Sequence, residues 1–365
     1  MSGGAPGDGA TPGVAGASAR RADGRPSGAA PRVGVVGLGL IGGSALLGLR
    51  AAGLVVRGCD RDEAARAWCD ALGVPCDRTP EDAARAVDVL LVCVPPHATA
   101  AVVAAALAAD PDVAVVDVAS VKAPVVDELR TRAPEDAGRF LPAHPLAGAE
   151  SSGHEAARED LLRGATWAVC PPADDPDGAV DTTAVLLRVS PVLDALDARL
   201  LVCTPDEHDR ALAATSHAPH VVAGAVAEVA GDAPTGGPVA AVLSGGALRD
   251  VTRVAAAPAG LWAEILRANA DRTADALEAT ADRLRAAAEA LRAGDHDAVV
   301  AGWERGVAAH DRLATARWGT ATWEPLTLDD GWEGLLGLGA AGVVVRGLRA
   351  DGRGGIAGER WAAAG

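Results

Sequence analysis

The sequence predicts an α/β domain with a doubly wound, mostly parallel sheet, followed by an all-α domain. Three observations predict it. Short continuous apolar runs alternate with helical stretches from Arg32 to about residue 173. A glycine-rich turn follows the first of those runs directly. After Asp174 the strand pattern nearly vanishes, and the chain to about Trp318 is helical in composition. Apolar strands that do not alternate with polar residues need cover on both faces, which a parallel sheet between helices provides.

Taken in order, residues 1–31 are Gly, Ala, Pro and Ser with a few charges and lack the periodicity of a core. Arg20 and Arg21 are paired, but no apolar stretch of signal length follows. A disordered tail is expected there. VGVVG from Val33 is the first strand, and GLGLIGGSALLGLRAAG a turn opening a helix. VVRGCD (Val55 to Asp60) is a second strand, and Glu63 to Leu72 a helix. Val87 to Pro96 and Val113 to Ser120 are further buried strands with an Ala/Val/Leu helix between them. WAVCPP (Trp167 to Pro172) reads as the last strand of this unit. The domain is expected to span 32–173 and the helical one 174–318; the Gly-rich segment 319–365 has no assignable structure. Within the helical part, Ala274, Leu277, Ala281, Leu284, Ala288 and Leu291 recur at steps of three and four and form one apolar stripe. Packing within one chain and a subunit interface both account for it.

Composition narrows the function. The chain has 365 residues, enough for two domains, and 49% are hydrophobic. A formal net charge of −16 argues against a nucleic-acid partner, which needs clustered Lys and Arg. No run approaches the roughly 18 apolar residues of a membrane span. The six cysteines form no CxxC pair and sit mostly in apolar runs. They read as reduced and buried, which suits the cytoplasm, and no metal site is expected.

Gly37-Leu38-Gly39-Leu40-Ile41-Gly42 is a GxGxxG between a strand and a helix, in a βαβ unit that ends in the acid Asp60. That context makes it a dinucleotide site: Gly37 for the tight turn, Gly39 for close approach of a pyrophosphate, Gly42 for helix–strand packing. Asp60 suits an adenosine ribose and would repel a 2′-phosphate, so NAD is favoured over NADP. Arg61 beside it pulls the other way.

Three segments leave the later strands near the expected nicotinamide: VPPHATA, which begins at Val94, DVASVKAP and LPAHPLAGAESSG. They carry Ser120, Lys122 and His144. A histidine titrates near neutral pH, so His144 suits removal of a hydroxyl proton while hydride leaves, and Ser120 could fix its tautomer. In the helical part, His217 and His220 of SHAPH face either a polar cleft or solvent. Arg249 and Arg253 of SGGALRDVTR lie four apart, and an arginine there can clamp a carboxylate or pair with a nearby acid.

VGVVGLGLIGGS, DVASVK, HPLAGAESSG, SHAPHVVA and GGALRDVTR followed by Trp262, in that order, resemble the prephenate and arogenate dehydrogenase family of tyrosine biosynthesis, from about Arg32 to Trp318. The resemblance implies an N-terminal Rossmann domain joined to an all-helical dimerisation domain that forms a homodimer, with the site between the two. It implies NAD-dependent oxidative decarboxylation of prephenate to 4-hydroxyphenylpyruvate. Arogenate, or both substrates, is the alternative; a non-catalytic NAD-binding regulator is another. His144 becomes the catalytic histidine, Ser120 the residue that orients it and approaches the nicotinamide, and Arg253 the substrate-carboxylate ligand. His220 lines the substrate pocket, with His217, Gly246 and Glu150 as weaker members. Val94 joins the cofactor set. Ala149 stands where relatives often have Thr or Ser, so a hydroxyl contact from that position is absent.

Overall fold

The structure is a computed structural model that describes residues 30–149, 151–171, 182–232, 235–318 and 321–363. Residues 1–29 of the expected tail and Glu150 therefore lie outside the described residues. The first layer runs β1 (Val33–Val36), α1 (Leu40–Ala51), β2 (Val56–Cys59), α2 (Glu63–Ala71), β3 (Cys76–Asp77), α3 (Pro80–Arg85), β4 (Val89–Val92), α4 (Pro96–Ala109), β5 (Ala114–Asp117), α5 (Ala123–Arg132) and β6 (Phe140–Leu141). All six strands are parallel, in the order β3-β2-β1-β4-β5-β6. The strand order reverses at β1 and β4, which opens a crevice at their carboxyl ends.

The continuous apolar strands have the expected cause. Val33, Val35, Leu91 and Val116 face one core, which includes Leu46 and Leu49 of α1. Val36, Leu90, Val92 and Val115 face the other, under Val103 and Leu107 of α4 and Val125 and Leu129 of α5. Short helices are started by their caps. Asp62 accepts from the Ala64 N–H, and Thr79 accepts from the Asp82 N–H.

The chain then adds β7 (Ala143–Pro145), β8 (Thr166–Val169), α6 (Thr182–Ala195), β9 (Arg199–Val202), α7 (Pro205–Leu212), α8 (Ala218–Gly231), α9 (Gly237–Leu243), α10 (Gly246–Thr252), α11 (Ala259–Ala268), α12 (Ala270–Ala293), α13 (His296–Trp318), β10 (Ala321–Leu328), α14 (Gly331–Ala340), β11 (Val345–Ala350) and β12 (Ile356–Ala363). The WAVCPP strand corrects the sequence reading. It is β8 of a second sheet, ordered β10-β12-β11-β9-β8-β7, and it does not extend the first. An apolar run records that a strand is covered, but not by which sheet. The C-terminal segment supplies three of that sheet's strands, and Leu326, Leu348 and Ile356 are buried with α6 in the same core as β1.

Helices α12 and α13 pack on each other, and α12 meets α7 and α8. Along the apolar stripe of α12, Leu284 and Leu291 are 62% and 67% exposed, so packing within one chain does not cover them. No described helix is long and apolar enough to cross a membrane.

Candidate functional site

The glycine turn lies between the ends of β1 and β4. Gly37 has φ +88°, and a Cβ there would sit 2.5 Å from the Cys93 carbonyl oxygen and 3.1 Å from Val94. A Cβ on Gly42 would fall 1.9 Å from the Gly37 carbonyl oxygen. Gly39 is different: a Cβ there would meet nothing within 4 Å. Gly39 is also the N-cap of α1 and has no side chain to cap it, and the first turn carries no acid. Open space in front of uncapped N–H groups at a helix N-terminus fits a pyrophosphate.

Asp60 follows β2 and holds this turn. One carboxylate oxygen accepts the Leu38 N–H at 2.7 Å and the other the Asp62 N–H at 2.9 Å. A carboxylate retains further lone pairs for a ribose. Arg66 donates to the carbonyls of Asp60 and Arg61, and the Arg61 residue is exposed. Leu40 and Ile41 begin α1, with Ile41 packed against the core.

His144 lies in β7, three residues after β6, where the chain passes from the first sheet into the second. Its backbone is clamped on both sides. The Asp117 carboxylate at the end of β5 accepts the Ala143 N–H at 3.1 Å, and the Lys122 ammonium donates to the Ala143 carbonyl at 2.7 Å. Lys122 and Asp117 pair with each other and are fully buried. Burial pushes the Asp117 carboxyl up, while the ammonium and two backbone N–H groups pull it back.

The His144 ring meets a partner the sequence reading did not find. His144 Nδ1 is 3.0 Å from His208 Nε2, and His208 Nδ1 is 2.7 Å from the Asp209 carboxylate. The partner at Nδ1 is thus His208, where Ser120 was expected; Ser120 is half-buried three residues past β5. His208 and Asp209 are buried neighbours on α7, whose start is a capping box of Thr204 and Glu207. Asp209 accepts the backbone N–H of Lys122 at 2.8 Å and of Ala123 at 2.9 Å, so the DVASVK segment joins α7. The sequence reading singled out nothing in this segment, PDEHDR, where the adjacent acids and histidine were the one available signal.

From His208 the cluster continues into the helical part. His217 is buried, and its Nδ1 accepts from the amide of Asn269, which also donates to the Asp209 carbonyl at 2.7 Å. His220 donates from Nδ1 to the Ser216 carbonyl at 2.8 Å and stacks on Trp262, with centroids 3.6 Å apart. Trp262 meets His217 edge-on. Burial pushes His217 down to about 4 and His144 well below its ordinary value. Burial also lowers His208 and His220, and the Arg253 charge lowers His220 further. Arg253 is the residue that caps the C-terminus of α10, four positions after Arg249, and Gly246 begins that helix with open space around it. Across the same boundary His97 of α4 meets Glu264 of α11 at 2.8 Å.

A family model described as "Prephenate dehydrogenase, nucleotide-binding domain" matches residues 46–193, and one described as "Prephenate dehydrogenase, dimerization domain" matches 204–304. The chain is 33% identical over 244 residues to the cyclohexadienyl dehydrogenase of Zymomonas mobilis, covering 65% of this chain and 80% of that one. A Corynebacterium glutamicum crystal structure, provisionally named a prephenate dehydrogenase, superposes with TM-score 0.74 at 27% identity, over 85% of this chain and 97% of that one. The prephenate dehydrogenase of Aquifex aeolicus, solved with hydroxyphenyl propionate and NAD+, shares the fold with TM-score 0.67 at 24% identity, over 77% of this chain and 98% of that one.

Proposed function

This chain belongs to the prephenate and arogenate dehydrogenase family, and on that premise we propose that it oxidatively decarboxylates prephenate to 4-hydroxyphenylpyruvate with NAD. The observation that carries the reading is the contact of the half-buried His144 with His208, together with Trp262 packed on His217 and His220 and the Arg253 charge acting on His220. A dehydrogenase acting on a cyclohexadienyl acid needs one group to take the hydroxyl proton and cationic or donor groups to hold carboxylates. This set supplies both.

NAD, when bound, takes the hydride. Gly37, Gly39 and Gly42 shape the turn that would receive its pyrophosphate, with Leu38, Leu40, Ile41 and Val94 around it. Asp60 would accept from the ribose and disfavour a 2′-phosphate. His144 is neutral at physiological pH because burial disfavours its charged form. It therefore accepts the 4-hydroxyl proton as hydride leaves the ring carbon, and loss of carbon dioxide aromatises the ring. Arg253 holds a carboxylate of the substrate, His220 on its Trp262 platform borders the ring, and Ser120 approaches the nicotinamide. His217 and Gly246 complete the pocket. Imidazoles and a guanidinium suit the ketone and carboxylate of prephenate better than the ammonium of arogenate.

The exposed apolar faces of α9, α12 and α13, including Val242 and Trp303, suit a second copy of the chain. The enzyme would then be a homodimer. The test is to follow reduced-dinucleotide absorbance with prephenate and with arogenate, each with NAD and with NADP. Turnover is expected with prephenate and NAD. Turnover only with arogenate moves the substrate assignment, and failure of all four combinations favours a dinucleotide-binding regulator.

A further inference from the structure

We propose that His208 is a positioning residue that fixes the proton of His144 on Nδ1 and thereby leaves His144 Nε2 bare to act as the base. The inference deepens the reading given above, because it assigns how the same imidazole is made competent.

The argument follows the donors and acceptors outward from Asp209. Its carboxylate already receives the N–H groups of Lys122 and Ala123, which can only donate. A carboxylate held in this way is an acceptor, so the atom facing it at 2.7 Å, His208 Nδ1, carries a proton. A neutral His208 then has its lone pair on Nε2. The atom 3.0 Å from that lone pair is His144 Nδ1, which must carry the next proton. A neutral His144 protonated on Nδ1 is unprotonated on Nε2. The chain of donors thus selects one tautomer of two, and it is the one a base requires.

Burial favours a neutral His144, and the Lys122 ammonium acts in the same direction. Around His208 the charged groups are Asp209, Asp117 and Lys122, two acids against one ammonium. When His144 Nε2 accepts the substrate proton, its Nδ1 proton can pass to His208 Nε2. The positive charge then rests beside Asp209, and the chain of groups has gained the one proton that the substrate has lost. The backbone clamp on Ala143 holds the first ring while α7 holds the second, so the geometry does not depend on substrate.

The test uses the full-length protein selectively labelled with 15N in its eight histidine rings. Ring 15N shifts are read without substrate for wild type, His208→Phe and His208→Gln. Gln can accept from His144 and donate to Asp209, so it should restore the tautomer that Phe loses. The expected result is His144 protonated on Nδ1 in wild type and in His208→Gln, but not in His208→Phe. In turnover, kcat of His208→Phe should fall by about 100-fold or more. KM and NAD affinity should stay within about twofold, with the larger part of kcat regained by His208→Gln. NAD affinity and the melting transition of each variant report that it has folded. A wild-type His144 protonated on Nε2, or a folded His208→Phe enzyme with unchanged kcat, overturns the proposal. The spectra need no substrate, so they decide the tautomer separately from the choice of reaction, which rests on wild-type turnover.

Discussion

Lys122 grips the carbonyl of Ala143, the residue immediately before His144, at 2.7 Å, and does so from a fully buried ammonium paired with Asp117. Lys122, picked out in the sequence beside Ser120 and His144, is thus a strut for the strand that carries His144.

That relationship makes Lys122→Met costly. Removing one partner of a buried ion pair leaves Asp117 charged and uncompensated, a loss of about 3–5 kcal/mol. Denaturant unfolding should show it as a lower midpoint with an unchanged slope. Adding Asp117→Asn should recover part of the loss, because the orphaned charge is gone. Additive losses would show that the two side chains act independently.

The glycine turn predicts a contrast between two alanines. Gly42→Ala would put a Cβ 1.9 Å from the Gly37 carbonyl oxygen and should cost about 1–3 kcal/mol or more of stability. Gly39→Ala meets nothing and has φ −73°, so its melting temperature should hardly change. Its NAD dissociation constant should nevertheless rise about tenfold or more, because the Cβ fills the space in front of α1. Calorimetric titration and thermal melts on the two variants separate these effects.

Charge placement at Arg253 and proton removal at His144 should separate in kinetics. Arg253→Ala should raise KM for prephenate about tenfold or more and leave NAD affinity unchanged. His144→Asn should lower kcat by about 100-fold or more while substrate binding persists. Equal effects of both changes on NAD binding would show that they disturb the fold.

Histidines held below their ordinary value by desolvation predict a pH dependence of stability. His144, His208, His217 and His220 are all held below their ordinary value, His217 at about 4 against 6.5. Between those limits the unfolded chain binds more protons than the folded one, so stability rises with pH. It should therefore fall as pH drops from about 6.5 toward 4, with no further loss from His217 below that. His217→Gln should flatten this part of the curve in urea unfolding series; an unchanged slope would show that His217 is not buried as a neutral ring.

The exposed stripe predicts its own occupant. Leu284→Glu with Leu291→Glu should shift sedimentation from dimer to monomer, with little change in the folding of the nucleotide-binding domain. A wild-type monomer at the same concentration would remove the dimer from the account.

Much of the molecule is set by local pattern, which a sequence displays directly. Continuous Val and Leu runs produce strands covered on both faces, and Gly37, Gly39 and Gly42 produce the turn, because neighbours in sequence supply the physics. His144 stood out for the same reason, as an imidazole in a segment that leaves the sheet. What the sequence could not state was which separated groups meet. The partnership of His208 with His144 spans 64 residues, and that of Asp209 with Lys122 spans 87. Membership of β8 in the second sheet likewise depends on α6, β9 and the C-terminal strands folding back beside it. Hydrogen bonding between distant residues is a property of the packed chain, so His144 could be singled out in the sequence as a candidate base, whereas its contact with His208 is visible only in the fold.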